Sequence, residues 1–164
     1  TDPHQDLPFW PISGRDHITA WIPFNGSKIG SGAMSYLGGS HRSGIKKFGD
    51  ITGKTTPFDY LSHPAAKNLK PLTIETDPGT VVFHHSLTVH WADSNLSSEA
   101  RRVYCIIYFP DGCTYSKPWP HLIPDRRQMK LGEAYASDLN PVTWPTSKTL
   151  PNTPFGTPPT TGFE

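Results

Sequence analysis

Proline and glycine set the terms for this chain: 18 prolines and 14 glycines are spread through 164 residues, and the apolar stretches are short and bounded by turn residues. Proline inside a helix removes a hydrogen bond and clashes with the preceding turn, while glycine loses the most backbone freedom on ordering. Short β-branched or aromatic runs with such punctuation suit an all-β sandwich or barrel. Strands are expected from His17 to Phe24, Ala33 to Leu37, Leu72 to Glu75, Thr80 to His84 and Arg102 to Phe109. Gly38-Gly39-Ser40-His41 reads as a turn, and no long amphipathic helix is visible.

The length suits one domain, for which roughly two-thirds of the unfolded surface can be buried. Residues 1–140 are read as its core, with an inserted polar loop near 44–70 long enough to act as a lid. From Pro141 to Glu164 six prolines and seven threonines occur in 24 residues, which predicts an extended tail. A net charge of +1 and 18% charged residues leave no concentrated basic face for nucleic acid. No run approaches the roughly 18 apolar residues that span a bilayer, and no signal-peptide pattern opens the chain. Cys105 and Cys113 lack the spacing of a disulfide framework or a zinc site, so a cytoplasmic location is expected, with Cys105 as core filling.

His4-Gln5-Asp6 puts an imidazole and a carboxylate two positions apart, which on an extended segment places both on one face, able to grip one metal ion. By itself that pattern is common and usually means a surface pair. A third ligand is available among His84, His85 and His90, and His90 is followed eleven positions on by Arg101. Two histidines and one carboxylate on one face of an octahedron leave three positions open, the arrangement of non-haem Fe(II) oxygenases. In the expected strand, a period of two sets Arg101 on the side of Val103, Cys105, Ile107 and Phe109. A guanidinium at the end of an apolar face needs a carboxylate: either Asp77, Asp93 or Glu99 within the chain, or a dicarboxylic cosubstrate such as 2-oxoglutarate.

The blocks HQDLPFWPISGRDHITAWIPF, GAMSYLGGSHR and DPGTVVFHHSLTVHWADSNLSSEARR resemble the phytanoyl-CoA dioxygenase family of iron and 2-oxoglutarate oxygenases, from about Asp2 to Gly112. The resemblance implies a double-stranded β-helix, the cupin-like jelly-roll barrel. It also implies Fe(II) on His4, Asp6 and His90, Arg101 on the distal carboxylate of 2-oxoglutarate, and Trp21 in the cosubstrate pocket. Trp10 is expected on the substrate side by analogy with other hydroxylases of the superfamily. The implied reaction takes O2, 2-oxoglutarate and a small-molecule substrate to a hydroxylated product, succinate and CO2. A carboxylate at Asp6, where related halogenases have a small residue, favours hydroxylation.

Three departures stand out. Where the family often has a serine assisting the cosubstrate, this chain has Ala92, with Thr88 or Ser94 as substitutes; Gly38 stands where a proline is usual. Family members also carry an N-terminal region ahead of H-x-D that contributes a barrel strand, and without it one sheet edge would be uncovered, so a longer parent or a compensating partner is expected. Two rivals remain: a cupin-type metal enzyme that uses no 2-oxoglutarate, and a non-catalytic jelly-roll module stacking a ligand on Trp10, Tyr115 and Trp119. No Lys and Arg cluster suited to CoA phosphates is evident, and the sequence assigns no oligomeric state.

Overall fold

The computed structural model describes residues 1–44, 58–137 and 139–145. Much of the expected 44–70 insertion and nearly all of the 141–164 tail lie outside the described residues. Among the described residues six strands and one short α-helix follow in order: β1 (Ile18–Pro23), β2 (Met34–Leu37), β3 (Pro71–Ile74), β4 (Val82–His85), β5 (His90–Ala92), β6 (Val103–Tyr108) and α1 (Leu122–Arg127). Five strands fall where β-branched and aromatic runs predict them. β5 and α1 do not: β5 has three residues, too few to show a period, and α1 has only six, with a proline at the third, Pro124.

The strands form two antiparallel three-stranded sheets, ordered β4-β1-β6 and β3-β2-β5. Trp21 of β1 meets Met34 and Tyr36 of β2 and Ala92 of β5 in one buried cluster, flanked by Ile74, Val82 and Val103, so the sheets pack face to face. This is the jelly-roll architecture expected from the sequence, here with three strands in each sheet. A second cluster of Leu37, Tyr60, Ala66 and Val89 closes the far end of β2. A third, of Ile12, Cys113, Tyr115, Met129 and Tyr135, joins the segment after β6 to the residues ahead of β1.

Register decides which side chains look inward. Thr19 lies between His84 and Ile107, and Trp21 between Val82 and Cys105, so these two rows share one face of the first sheet. In the second sheet Tyr36 pairs with His90 and Met34 with Ala92. The polar members of both faces gather at one end of the sandwich, where His84, Thr19 and His90 are each less than a tenth exposed. Among the described residues no helix is long and apolar enough to cross a membrane.

Candidate metal centre

His4 and His90 face each other across an isolated antiparallel bridge, each N–H donating to the other's carbonyl at 3.0 Å. Residues paired in this way project from the same face, which sets the two imidazoles side by side with ring centroids 4.2 Å apart. The expected extended H-x-D segment holds only as far as this bridge. Asp6 already has helical backbone angles and starts a 3-10 turn over Leu7–Phe9. Between them Gln5 is fully buried and points elsewhere, its amide donating to the Leu87 carbonyl at 2.7 Å.

Hydrogen bonding fixes the protons on the two histidines. Nδ1 of His4 lies 2.8 Å from the Asp2 carbonyl, and Nδ1 of His90 lies 2.9 Å from that of Thr88. A carbonyl only accepts, so each Nδ1 carries the hydrogen and each neutral ring presents a bare lone pair at Nε2. Burial pushes His90 down to about 4, and it lowers His4 as well, against the pull of the Asp2 carbonyl and Asp6. Both bare nitrogens face Oδ1 of Asp6, at 3.8 Å from His4 and 3.5 Å from His90. One ligand atom from each residue lies within 4.8 Å of the others, the only such group of three or more among the described residues. Three converging lone pairs without a proton between them repel unless a cation sits there, so this donor set fits a divalent metal ion.

The other oxygen of Asp6 is held by the first sheet. Thr19 donates its hydroxyl to Oδ2 at 3.1 Å and His84 approaches through Nε2 at 3.2 Å. Burial would raise the Asp6 carboxyl, but the His84 hydrogen bond and the fields of His90, His84 and His4 outweigh it and hold the group below its ordinary value. Thr19 drew no attention in the sequence and His84 entered only as one of three candidate donors, yet together they hold Oδ2 and aim Oδ1 at the two imidazoles. The signal that would find His84 is the β1–β4 register, in which it stands opposite Thr19.

A cavity of about 290 Å³ opens beside the triad, lined by His4, Asp6, His90, Trp10, Trp21 and Arg101 among others. All six residues singled out from the sequence are therefore brought to one space. Arg101 is half-buried, its guanidinium 5.6 Å from the Trp21 ring and donating to the Gly32 carbonyl. Gly32 is left-handed, at φ 77°, and a Cβ there would stand 2.9 Å from the Asp93 carbonyl oxygen. Among the described residues Arg101 has no carboxylate within ion-pair distance, so none of Asp77, Asp93 or Glu99 neutralises it. Tyr36, stacked 6.0 Å from the His90 ring, keeps a buried hydroxyl with no hydrogen-bond partner, and burial and Asp6 raise its pKa far above a normal phenol's.

Other expectations resolve differently. Cys105 is exposed rather than core filling, because its side of β6 looks into the open cavity that Arg101 and Ile107 also line. Ala92 packs in the core, and neither Thr88 nor Ser94 lines the cavity; Thr19 does. His85 faces away from the triad, 3.6 Å from Asp16 and with its ring tilted against that of His41 at 5.4 Å between centroids. Tyr115 belongs to the third core cluster, with Trp10 packed against it, while Trp119 is 39% exposed.

Comparison with known proteins gives consistent results. Residues 1–103 match the profile of the phytanoyl-CoA dioxygenase family. A phytanoyl-CoA dioxygenase of Arabidopsis thaliana is 31% identical over 118 residues, covering 70% of this chain and 41% of the relative. A probable alpha-ketoglutarate-dependent hypophosphite dioxygenase of Stutzerimonas stutzeri is 30% identical over 127 residues, covering 73% of this chain and 41% of the relative. The chain thus spans well under half the length of these relatives. Among solved structures, the non-haem alpha-ketoglutarate-dependent carbocyclase SnoK superposes with a TM-score of 0.69 at 25% identity, over 85% of this chain and 54% of that one. The epimerase SnoN, solved with Fe3+, alpha-ketoglutarate and nogalamycin RO, shares the fold with a TM-score of 0.66 at 24% identity, over 84% of this chain and 55% of that one.

Proposed function

Since this chain belongs to the phytanoyl-CoA dioxygenase family, we propose that it forms the catalytic part of a non-haem Fe(II)- and 2-oxoglutarate-dependent dioxygenase that hydroxylates a small molecule. The observation that carries this reading is a three-donor face of two neutral imidazoles and one carboxylate beside an arginine that lacks a carboxylate partner among the described residues. His4, Asp6 and His90 would hold Fe(II), leaving positions for cosubstrate and O2. Bound there, the iron supplies the activation of O2 that couples decarboxylation of 2-oxoglutarate, with release of succinate and CO2, to C–H hydroxylation.

What the chain's own residues do follows from their placement. The Asp2 and Thr88 carbonyls fix the two ligand rings in the tautomer that offers Nε2. Thr19 and His84 occupy one oxygen of Asp6 and leave the other to the metal. The carboxylate at Asp6 fills the position a halide would need, which favours hydroxylation. Arg101, steadied by the Gly32 carbonyl and the face of Trp21, receives the distal carboxylate of 2-oxoglutarate as a charge-assisted pair. Trp10 walls the side from which substrate enters.

Titrating 2-oxoglutarate into anaerobic, iron-loaded protein tests the reading. A weak visible charge-transfer band, together with substrate-stimulated succinate release by the full-length protein, is expected. Iron binding without any band would favour a cupin-type metal enzyme that needs no keto acid. Failure to take up iron at all would leave a ligand-binding jelly roll. Both cysteines are free, which fits a cytoplasmic setting.

A further inference from the structure

Behind the metal cavity lies a second one, of about 190 Å³, and Trp10 and Ile107 stand in the walls of both. Its remaining apolar wall is Ile12, Phe109 and Ile123. Three polar residues complete it: His121, Tyr135 and Asn140. Each of the three keeps a buried polar atom with no hydrogen-bond partner: Nδ1 of His121, the hydroxyl of Tyr135 and Oδ1 of Asn140. Tyr135 is fully buried.

Native interiors leave few such atoms unpaired, since each forfeits its hydrogen bond to water without gaining another. Three gathered around one cavity point to a partner that the cavity is shaped to receive. No Asp, Glu, Lys or Arg lines it among the described residues, and burial keeps the His121 imidazole neutral, so a charged group entering here would be desolvated with nothing to balance it. The metal cavity, at about 290 Å³, lies near the lower end of ligand-pocket sizes, and the second adds about 190 Å³ beside it across the shared walls of Trp10 and Ile107. Apart from Trp10 and Ile12, every lining residue lies beyond 1–103, the part of the chain that the family profile matches.

On the oxygenase reading above, we propose that this second cavity is the substrate's anchoring site. It takes the non-reacting end of an uncharged molecule, with an aromatic or branched hydrocarbon body and a terminal hydroxyl or carbonyl. The body packs between Trp10, Phe109 and Ile123; the polar terminus bonds to Tyr135, Asn140 and His121. The reacting carbon then lies past Trp10 and Ile107, in the cavity of the triad.

The test is an NMR titration of the full chain with 4-methylphenol, following the Trp10 indole N–H, beside toluene and 4-methylbenzoate. An engineered apolar cavity of about 150 Å³ holds benzene, so a ring of this size fits. A saturable shift is expected for 4-methylphenol, with affinity roughly five-fold above toluene, the worth of one neutral hydrogen bond, and above 4-methylbenzoate by more. Tyr135→Phe should weaken 4-methylphenol by roughly the same factor while raising the melting temperature of the free protein, because it removes a buried, unpaired hydroxyl. Ile123→Trp should abolish the shift. The proposal is overturned if 4-methylphenol gives no saturable shift, if the carboxylate binds as well as the phenol, or if Tyr135→Phe changes neither affinity nor melting. The 2-oxoglutarate band reports separately on the oxygenase reading: a band without phenol binding sinks this site alone, and phenol binding without a band sinks only the oxygenase.

Discussion

His84 reaches the candidate triad through one hydrogen bond, with Asp6. Its Nε2 holds the Asp6 oxygen turned away from His4 and His90, sharing that task with Thr19. Partners of this kind set the orientation of a ligating carboxylate, and their loss typically weakens metal affinity about 10–100-fold. His84→Ala should therefore raise the Fe(II) dissociation constant by that factor, read by competition with a chelator, while His84→Gln, which keeps a donor, recovers part of it. Unchanged affinity in the alanine variant would make His84 mere packing. Arg101→Ala should cost 2-oxoglutarate about 2 kcal/mol or more of affinity, roughly 30-fold, with Fe(II) binding intact; equal losses of both would mean that the arginine serves the fold instead. His4, Asp6, His90 and Arg101 were legible in the sequence through the family resemblance, since the H-x-D pattern is common by itself and the residues alone left His84, His85 and His90 open as the third donor. His84 was not, since a histidine next to another histidine in a strand gives no sign of which one faces inward until the partner strand fixes the register.

At the scale of elements, the strand that carries His90 is the one the sequence hid. β5 is three residues long and takes its position from its neighbours: Leu37 donates to the Val89 carbonyl at 2.9 Å, and Val89 donates to the Ser40 hydroxyl at 2.8 Å. Ser40 and Val89 are both fully buried. The turn at Gly38-Gly39-Ser40-His41, visible in the sequence as a turn, thus also anchors the strand that carries His90. Gly39 enters it in the left-handed region, at φ 81°, where a side chain is disfavoured. Ser40→Ala would leave the Val89 N–H buried without an acceptor, at a cost of about 1–3 kcal/mol. Urea unfolding should show that loss, and Fe(II) affinity should fall with it because His90 follows Val89 directly. A stability change below about 0.5 kcal/mol, the size usual for surface substitutions, would show that water or a neighbour takes over. The short helix α1 escaped notice for a related reason: six residues with an internal proline carry no amphipathic stripe, and the turn is held by packing in the third core cluster.

For the whole molecule, two linkages follow from burying neutral imidazoles and gathering distant donors. His17 is fully buried and stacked on Trp10, 5.5 Å between ring centroids, and burial lowers its pKa from 6.5. The unfolded chain therefore takes up this proton first as pH falls, so the stability His17 contributes is complete above its unfolded value and is lost as pH drops through the folded one. Between about pH 7 and pH 5 a His17→Phe variant should lose stability less steeply than the parent chain in metal-free buffer; parallel slopes would remove His17 as a cause. A metal ion bound at the triad would act in the opposite sense. His4 and Asp6 meet His90 only through the bridge and the packing of the two sheets, so the unfolded chain presents no assembled site, and an ion that binds only the folded state stabilises it by mass action. At a free concentration 100 times the dissociation constant the gain is about 2.7 kcal/mol, which for a domain of this size is a rise of roughly 5–10 °C in melting temperature. The rise should vanish on adding a chelator and be absent in His90→Ala and in Asp6→Asn, whose amide keeps the shape of the carboxylate without its charge. If Asp6→Asn melts higher with Fe(II) by as much as the parent chain does, the ion is bound elsewhere and the three converging lone pairs are not its site.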